Sequence, residues 1–252
     1  MIKNILYISM LSLLMISCEQ KESFLYESKD GLYFTLPGTT LNPWDTENPE
    51  EEFTKEIDFA FRETGERDYD TGCKLYYGDS LRADTLRLVV AVSGTVRDKA
   101  REYNLKAASI SDTTEFAEVQ FANPYRIEAG QTKDTAIVII PRTYRRGFSG
   151  AEITIDIENS PEFGSTITNW NKYHLHISDR YTEPNGWDVQ EYGDFSEEKY
   201  AFWVSVLHIV YEDRYQLWTV PNIRQALNDA LREYNTANPD NKKDFDFPGY
   251  TE

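Results

Sequence analysis

Ala151-Glu152-Ile153-Thr154-Ile155-Asp156-Ile157-Glu158 alternates apolar and polar side chains at each step. Successive side chains of a β-strand leave opposite faces, so this phase sends Ile153, Ile155 and Ile157 to a buried face and Thr154, Asp156 and Glu158 to the other. An amphipathic helix would instead space its apolar residues three and four apart. The strand character recurs in both directions from here. Upstream it marks Leu32–Leu36, Phe53–Phe61 (Ile57, Phe59 and Phe61 against Lys55, Glu56, Asp58 and Ala60), Thr85–Val92, Glu102–Ser109, Glu115–Phe121 and Thr135–Ile140; downstream it marks Ile167–Ile177. Asn-Pro, Pro-Gly and Asp-Thr-Gly groups punctuate the series. Short strands with turns at this regular spacing predict a mainly β chain, an antiparallel immunoglobulin-like β-sandwich over residues 30–180.

After residue 180 the period changes. Pro184, Asn185, Gly186 and Gly193 make a turn-rich connector. Phe195-Ser196-Glu197-Glu198-Lys199-Tyr200 then carries a helix start: Ser196 can cap free amides, the two glutamates complement the helix dipole, and Phe195 can staple against Tyr200. From there to about Tyr211 the helix is apolar on more than one side. Tyr200, Trp203, Val204, Leu207 and Val210 form one stripe and Phe202, Val206 and Ile209 another, which predicts partners on both sides. A second helix places Ile223, Ala226, Leu227, Ala230, Leu231 and Tyr234 on a single stripe, beginning at Pro221-Asn222 and stopping before Asn238-Pro239. Residues 181–252 therefore read as a connector and a small C-terminal two-helix element covering part of the sandwich.

At the other end, Lys3, an apolar run from Ile5 to Ile16 and then Ser17-Cys18 have the layout of a lipoprotein signal peptide over residues 1–17. The run is too short for a membrane-spanning helix. Cleavage before Cys18 would leave an N-terminal cysteine carrying acyl chains, and at about 0.8 kcal/mol per buried methylene two or three chains anchor a protein nearly permanently. Residues 18–29 then form a tether, and the outer-membrane lipid is the first expected partner. Glu19 and Glu22 resemble the surface-export signal of Bacteroides-type lipoproteins, which implies an outer-membrane protein facing the cell exterior. The alternative is an ordinary secretory signal with a chance cysteine.

Charge narrows the partners further. The formal net charge is −17, and loss of residues 1–17 removes one lysine to leave −18. Such a chain repels nucleic acid, and no basic cluster offsets it. With Cys18 acylated, Cys73 stands alone, so no intrachain disulfide forms and Cys73 reads as a small half-buried filler.

His174 and His176 lie two apart in a strand, a spacing by which a sheet can offer two ligands to zinc. A third would have to come from afar, from Asp179 or His208, and the competing reading is a pair of ordinary cross-strand neighbours. His208 itself reads as a hydrogen-bonded core residue of the first helix. Asp45, Glu47, Glu50, Glu51 and Glu52, and separately Asp68 and Asp70, lack the calcium-loop pattern and read as solvated loops. No serine elbow, His-Glu-x-x-His, Cys-His pair or phosphate loop accompanies them, so no catalytic residue, metal or cofactor is assigned. Aromatic faces remain. Trp203 falls on the helix stripe, whereas Trp44 and Trp187 stand beside Pro43 and Gly186 in turn-rich segments and are the candidate ligand-binding residues.

The lipobox, the Ala129-Gly130 turn, Asn159 through Gly164, Tyr192-Gly-Asp-Phe-Ser-Glu-Glu-Lys-Tyr200, and Leu231-Arg-Glu-Tyr-Asn235 followed by Phe245-Asp-Phe-Pro-Gly249 together resemble an uncharacterised family of Bacteroidota surface lipoproteins. Those proteins are encoded beside SusC/SusD-like, TonB-dependent importers. The resemblance implies a non-catalytic accessory or ligand-binding component of a nutrient uptake system for glycans or peptides, with the importer as a partner. It transfers no active residues. The alternatives are a surface hydrolase that trims the imported polymer, and a fimbrial or adhesive subunit.

Overall fold

The computed structural model describes residues 29–36, 53–111, 114–143, 146–167, 170–217 and 222–248. The signal segment, Cys18, the tether up to residue 28, Trp44 and the acidic stretch at 45–52 lie outside the described residues.

In chain order the strands are β1 (Gly31–Thr35), β2 (Thr54–Asp58), β3 (Glu63–Arg67), β4 (Lys74–Tyr76), β5 (Ala83–Ser93), β6 (Arg101–Tyr103) and β7 (Leu105–Ala108). They continue as β8 (Glu115–Phe116), β9 (Gln120–Phe121), β10 (Tyr125–Ile127), β11 (Lys133–Pro141), β12 (Phe148–Ile155), β13 (Ser165–Thr166) and β14 (Lys172–Ser178). The helices are α1 (Val189–Tyr192), α2 (Glu197–Leu207) and α3 (Ile223–Ala237).

Two five-stranded sheets form the mainly β body, one ordered β13-β1-β5-β11-β9, the other β2-β14-β12-β7 with β8 beside β12. Their inner faces follow the two-residue period. Leu86, Leu88, Val90 and Val92 of β5 and Ala136, Val138 and Ile140 of β11 meet Ala151, Ile153 and Ile155 of β12 and Leu175 and Ile177 of β14 in one buried cluster. Pairing is antiparallel along β1-β5-β11 and along β7-β12-β14. The edges differ: β13 on β1, β2 on β14 and β8 on β12 are parallel, a choice made by long connections that alternation does not encode.

The strand that decides the fold is shifted from its expected bounds. It starts at Phe148 and ends at Ile155, and Ile157–Asn159 is a 3-10 turn. Polar side chains cause the break, since the Asp156 carboxylate accepts from Asn159 Nδ2 at 2.6 Å and its carbonyl accepts from Ser160 Oγ at 2.6 Å.

A second buried cluster lies beyond the sandwich. Trp187, Tyr192, Tyr200, Phe202, Trp203, Tyr211, Leu227, Leu231 and Phe247 build it, and Ala60, Phe61 and Tyr76 from the N-terminal half complete it. Ser196 caps α2 through the Lys199 amide, and Asn222 caps α3 through that of Gln225. Burial runs unbroken from Lys199 to Val204, so this stretch of α2 has packing partners on more than one side. It ends at Leu207, not Tyr211, because His208 takes a left-handed conformation (φ 58) and closes the helix on the Val204 carbonyl. His208 is consequently an exposed cap, with Nδ1 at 3.0 Å from the Tyr76 carbonyl, and not a core residue.

Candidate functional site

The end of the sandwich that faces the helical element holds a buried ion cluster. Arg142 follows β11 directly, with a fully buried side chain. Its Nε and Nη2 donate to the two oxygens of Asp179 at 3.0 and 2.7 Å, and Nη1 donates to the Gly78 carbonyl at 2.6 Å. Asp79, from the 3-10 turn Gly78–Ser80, accepts from Arg142 at 3.1 Å and from Arg146 at 2.7 and 2.8 Å. Arg146 also reaches Asp179 at 3.1 Å. Burial alone would lower both guanidinium pKa values, but the flanking carboxylates more than offset it, so both stay charged. Two cations thus neutralise two anions. Burial pushes the adjacent Tyr181 phenol up to about 12, and keeps the Asp58 carboxyl above its usual range.

Gly78 ties this cluster to α2. At φ +55 it adopts a conformation that favours glycine, and a Cβ there would stand 2.7 Å from the Ser205 Cα. The Ser205 hydroxyl accepts the Asp79 amide at 2.9 Å.

Above the cluster lies a cleft lined by Arg146 and Asp179 and by Phe116, Phe148, Glu115 and Glu118 at its mouth. Its interior holds about 20 Å³, room for one water, so a larger ligand would lie across the mouth. Phe148 is 65% and Phe116 47% exposed. The strand phase explains this: Ala151, Ile153 and Ile155 point inward, so Phe148 points outward, and Phe116 is paired with Gly150 on that same outer face. Arg146 has φ 48, a left-handed conformation uncommon outside glycine, which re-aims its side chain into the cluster. On the far side of Asp79 an open groove of about 730 Å³ runs between α2 and α3, with Phe202, Val206, Ala230 and Tyr234 as its apolar wall.

The residues singled out from sequence are dispersed. Trp187 is 7% exposed, packed against Tyr192, Phe195, Tyr200, Trp203 and Tyr211, with its Nε1 donating to the Gly193 carbonyl at 2.8 Å. It is therefore a core residue and offers no free face to a ligand, a correction that follows from helices closing over the connector. Trp44 and Cys18 lie outside the described residues. His174 and His176 do share the outer face of β14, where His174 Nε2 lies 3.5 Å from Glu152. Neither distant ligand joins them, because Asp179 is committed to Arg142 and His208 to Tyr76. Among the described residues no group of three His, Cys, Asp or Glu is placed to hold a metal ion. Asp68 is a turn former: its carboxylate accepts from the Asp70 and Thr71 amides and the Thr71 hydroxyl, which lower its pKa. Cys73 is buried, its Sγ 3.4 Å from Gln216 Oε1.

Sequence reasoning passed over Phe116 and Phe148 by weighing tryptophans alone. The signal was present, since extending the phase of Ile153 and Ile155 back along the strand puts residue 148 outside. The ion cluster had no such signal, its members being scattered at positions 79, 142, 146 and 179.

Fold and site define a β-sandwich protein with a helical C-terminal element and a charge-lined, aromatic-rimmed cleft at one end of the sandwich. The chain belongs to the DUF4843 family, a domain of unknown function, whose model matches residues 59–209. Similar solved structures include Bacteroides proteins. A two-domain protein of unknown function from Bacteroides fragilis is 10% identical, with a TM-score of 0.37 over 64% of this chain and 53% of that one. A protein of unknown function from Bacteroides ovatus is 12% identical, with a TM-score of 0.32 over 58% and 43%. A multidomain protein including DUF1735 from Bacteroides ovatus is 18% identical, with a TM-score of 0.31 over 58% and 44%. The chain spans about half the length of these structures. No curated protein matches it.

Proposed function

We propose that this is an outer-membrane lipoprotein, held at the cell exterior by acyl chains on Cys18, that serves a SusC/SusD-like uptake system for glycans or peptides as a non-catalytic, ligand-binding component. The observation that supports a binding role is the cleft: two phenyl rings face solvent at its mouth, while Asp179 in its lining is engaged by Arg142 and Arg146. Hydrolysis by a general acid needs a carboxyl free to pass its proton to the substrate, and Asp179, the buried carboxylate of the cleft, holds guanidinium groups instead. The lipobox and the acidic residues behind Cys18 support the location. Anchoring confines the domain to two dimensions beside its partner, so a weak contact suffices through effective concentration.

Three measurements test this. Radiolabelled palmitate should enter the wild type and not Cys18→Ala, and the native protein should co-purify with an importer channel from detergent-solubilised outer membrane. An unlabelled, freely soluble wild type overturns the location. Turnover of a glycan or peptide by the purified chain overturns the non-catalytic role in favour of the hydrolase.

A further inference from the structure

We infer that Phe116 and Phe148 form a carbohydrate platform across the mouth of the cleft, on which an uncharged oligosaccharide lies with sugar rings against the two phenyls. The inference rests on the binding role proposed above and names its ligand class. Register places both residues on one face: Phe116 is opposite Gly150, two residues along β12 from Phe148, and both line the same cleft. Between them Gly150 is buried under Ile110, whose Cδ1 lies 2.6 Å from where a Cβ at that position would stand, so an aliphatic side chain fills the gap in the apolar face. Behind the rings, the Arg180 guanidinium sits 5.8 Å from the Phe148 centroid and packs one side of it.

Two exposed phenyls on one face are costly in water and mark an interaction surface. A flat apolar face flanked by a few polar groups is what a sugar ring presents in mirror image, apolar C–H on its face and hydroxyls around its edge. The polar groups are in place, with Glu118 able to accept from hydroxyls at the rim and Arg146 lying on the cleft wall.

Charge and backbone select against other polymers. The chain carries −17, and Glu115 and Glu118 stand at the mouth, so a polyanionic glycan is repelled. A peptide adding as a strand needs a free edge, yet β12 is flanked at Ser149 by Ile177 of β14 and by Glu115 of β8, and the Ala117 amide takes the Gly150 carbonyl at 2.9 Å. Strand β8 is only two residues long, too short to serve as the edge itself.

Affinity electrophoresis of the detergent-solubilised full chain in gels containing soluble β-glucan, xylan, mannan or starch tests the inference, with polygalacturonate and casein peptides as comparators. At least one neutral polysaccharide should retard the wild type. Phe116→Ala/Phe148→Ala should weaken that retardation tenfold or more, and Phe148→Trp should preserve it. Thermal unfolding of the double variant should match the wild type, since both rings are exposed; if it does not, the single variants Phe116→Leu and Phe148→Leu carry the comparison. No retardation by any neutral polysaccharide, equal retardation of the alanine variants, or stronger retention by polygalacturonate or the peptides overturns the platform. Each of these outcomes leaves palmitate labelling and importer co-purification untouched, so the platform and the broader proposal fail separately.

Discussion

Arg142 shows what a buried charge demands of its neighbours. Its guanidinium is removed from water and is held by Asp179, Asp79 and the Gly78 carbonyl, so each donor that meets an acceptor offsets a desolvation cost. Replacing it by methionine leaves Asp179 buried without its main counter-charge. Arg142→Met should lose about 3–5 kcal/mol of stability, read as a lowered urea midpoint with an unchanged slope. Asp30 is a second such case, at the opposite end of the first sheet. Burial would raise its carboxyl pKa, but hydrogen bonds and charges from Arg97 and Arg101 outweigh it and hold the pKa below the ordinary range. Arg101 depends on this contact, a 2.6 Å bond, since its Nε and Nη2 are buried without partners. A depressed carboxyl pKa means that the folded state binds fewer protons than the unfolded one. Its stabilisation is therefore complete above about pH 4 and is lost as pH falls through the lower folded value. Acid titration of stability should show that limb in the wild type and a shallower one in Asp30→Asn, which should also be less stable at neutral pH.

At the scale of elements, local chemistry was legible wherever one side chain acts on its own backbone. Ser196 caps α2 and Asn222 caps α3, at the residues where the sequence places these helix starts. Ser196→Ala should cost about 1 kcal/mol, within the range for a lost cap, and Ser196→Asp should recover it; thermal melts of the two variants decide this. Illegible elements share a different property. Strand β3 is largely exposed and polar and β4 is only three residues long, so no hydrophobic phase announces either, and they are joined by the Asp68 turn. The end of α2 was missed because His208 adopts a glycine-like conformation that Tyr76, a residue far away in sequence, helps to hold. Phe148 belongs between these cases: its outward phase could be read from Ile153 and Ile155, but its proximity to Phe116 depends on β8 lying beside β12.

For the whole molecule, the two buried clusters are joined rather than merely adjacent. Ala60, Phe61 and Tyr76 are built into the second cluster, and the ion cluster welds β11 and β14 to the turn that packs on α2. Unfolding should therefore be one cooperative event. Trp170 reports on the first cluster and Trp187 and Trp203 on the second. Urea curves from the fluorescence of Trp170→Phe and from the far-ultraviolet dichroism of the same variant should coincide; two separated midpoints would show that the clusters unfold independently.

The sequence by itself determined the strand phases, the mainly β class, the helix starts and the change of character after residue 180. These follow from periods and caps that act over a few residues. Only the tertiary structure decided that Trp187 is covered, that two phenylalanines frame a cleft and that residues 79, 142, 146 and 179 share their charges. Burial and ion pairing depend on which distant segments meet when the chain closes on itself, and neighbouring residues carry no record of that.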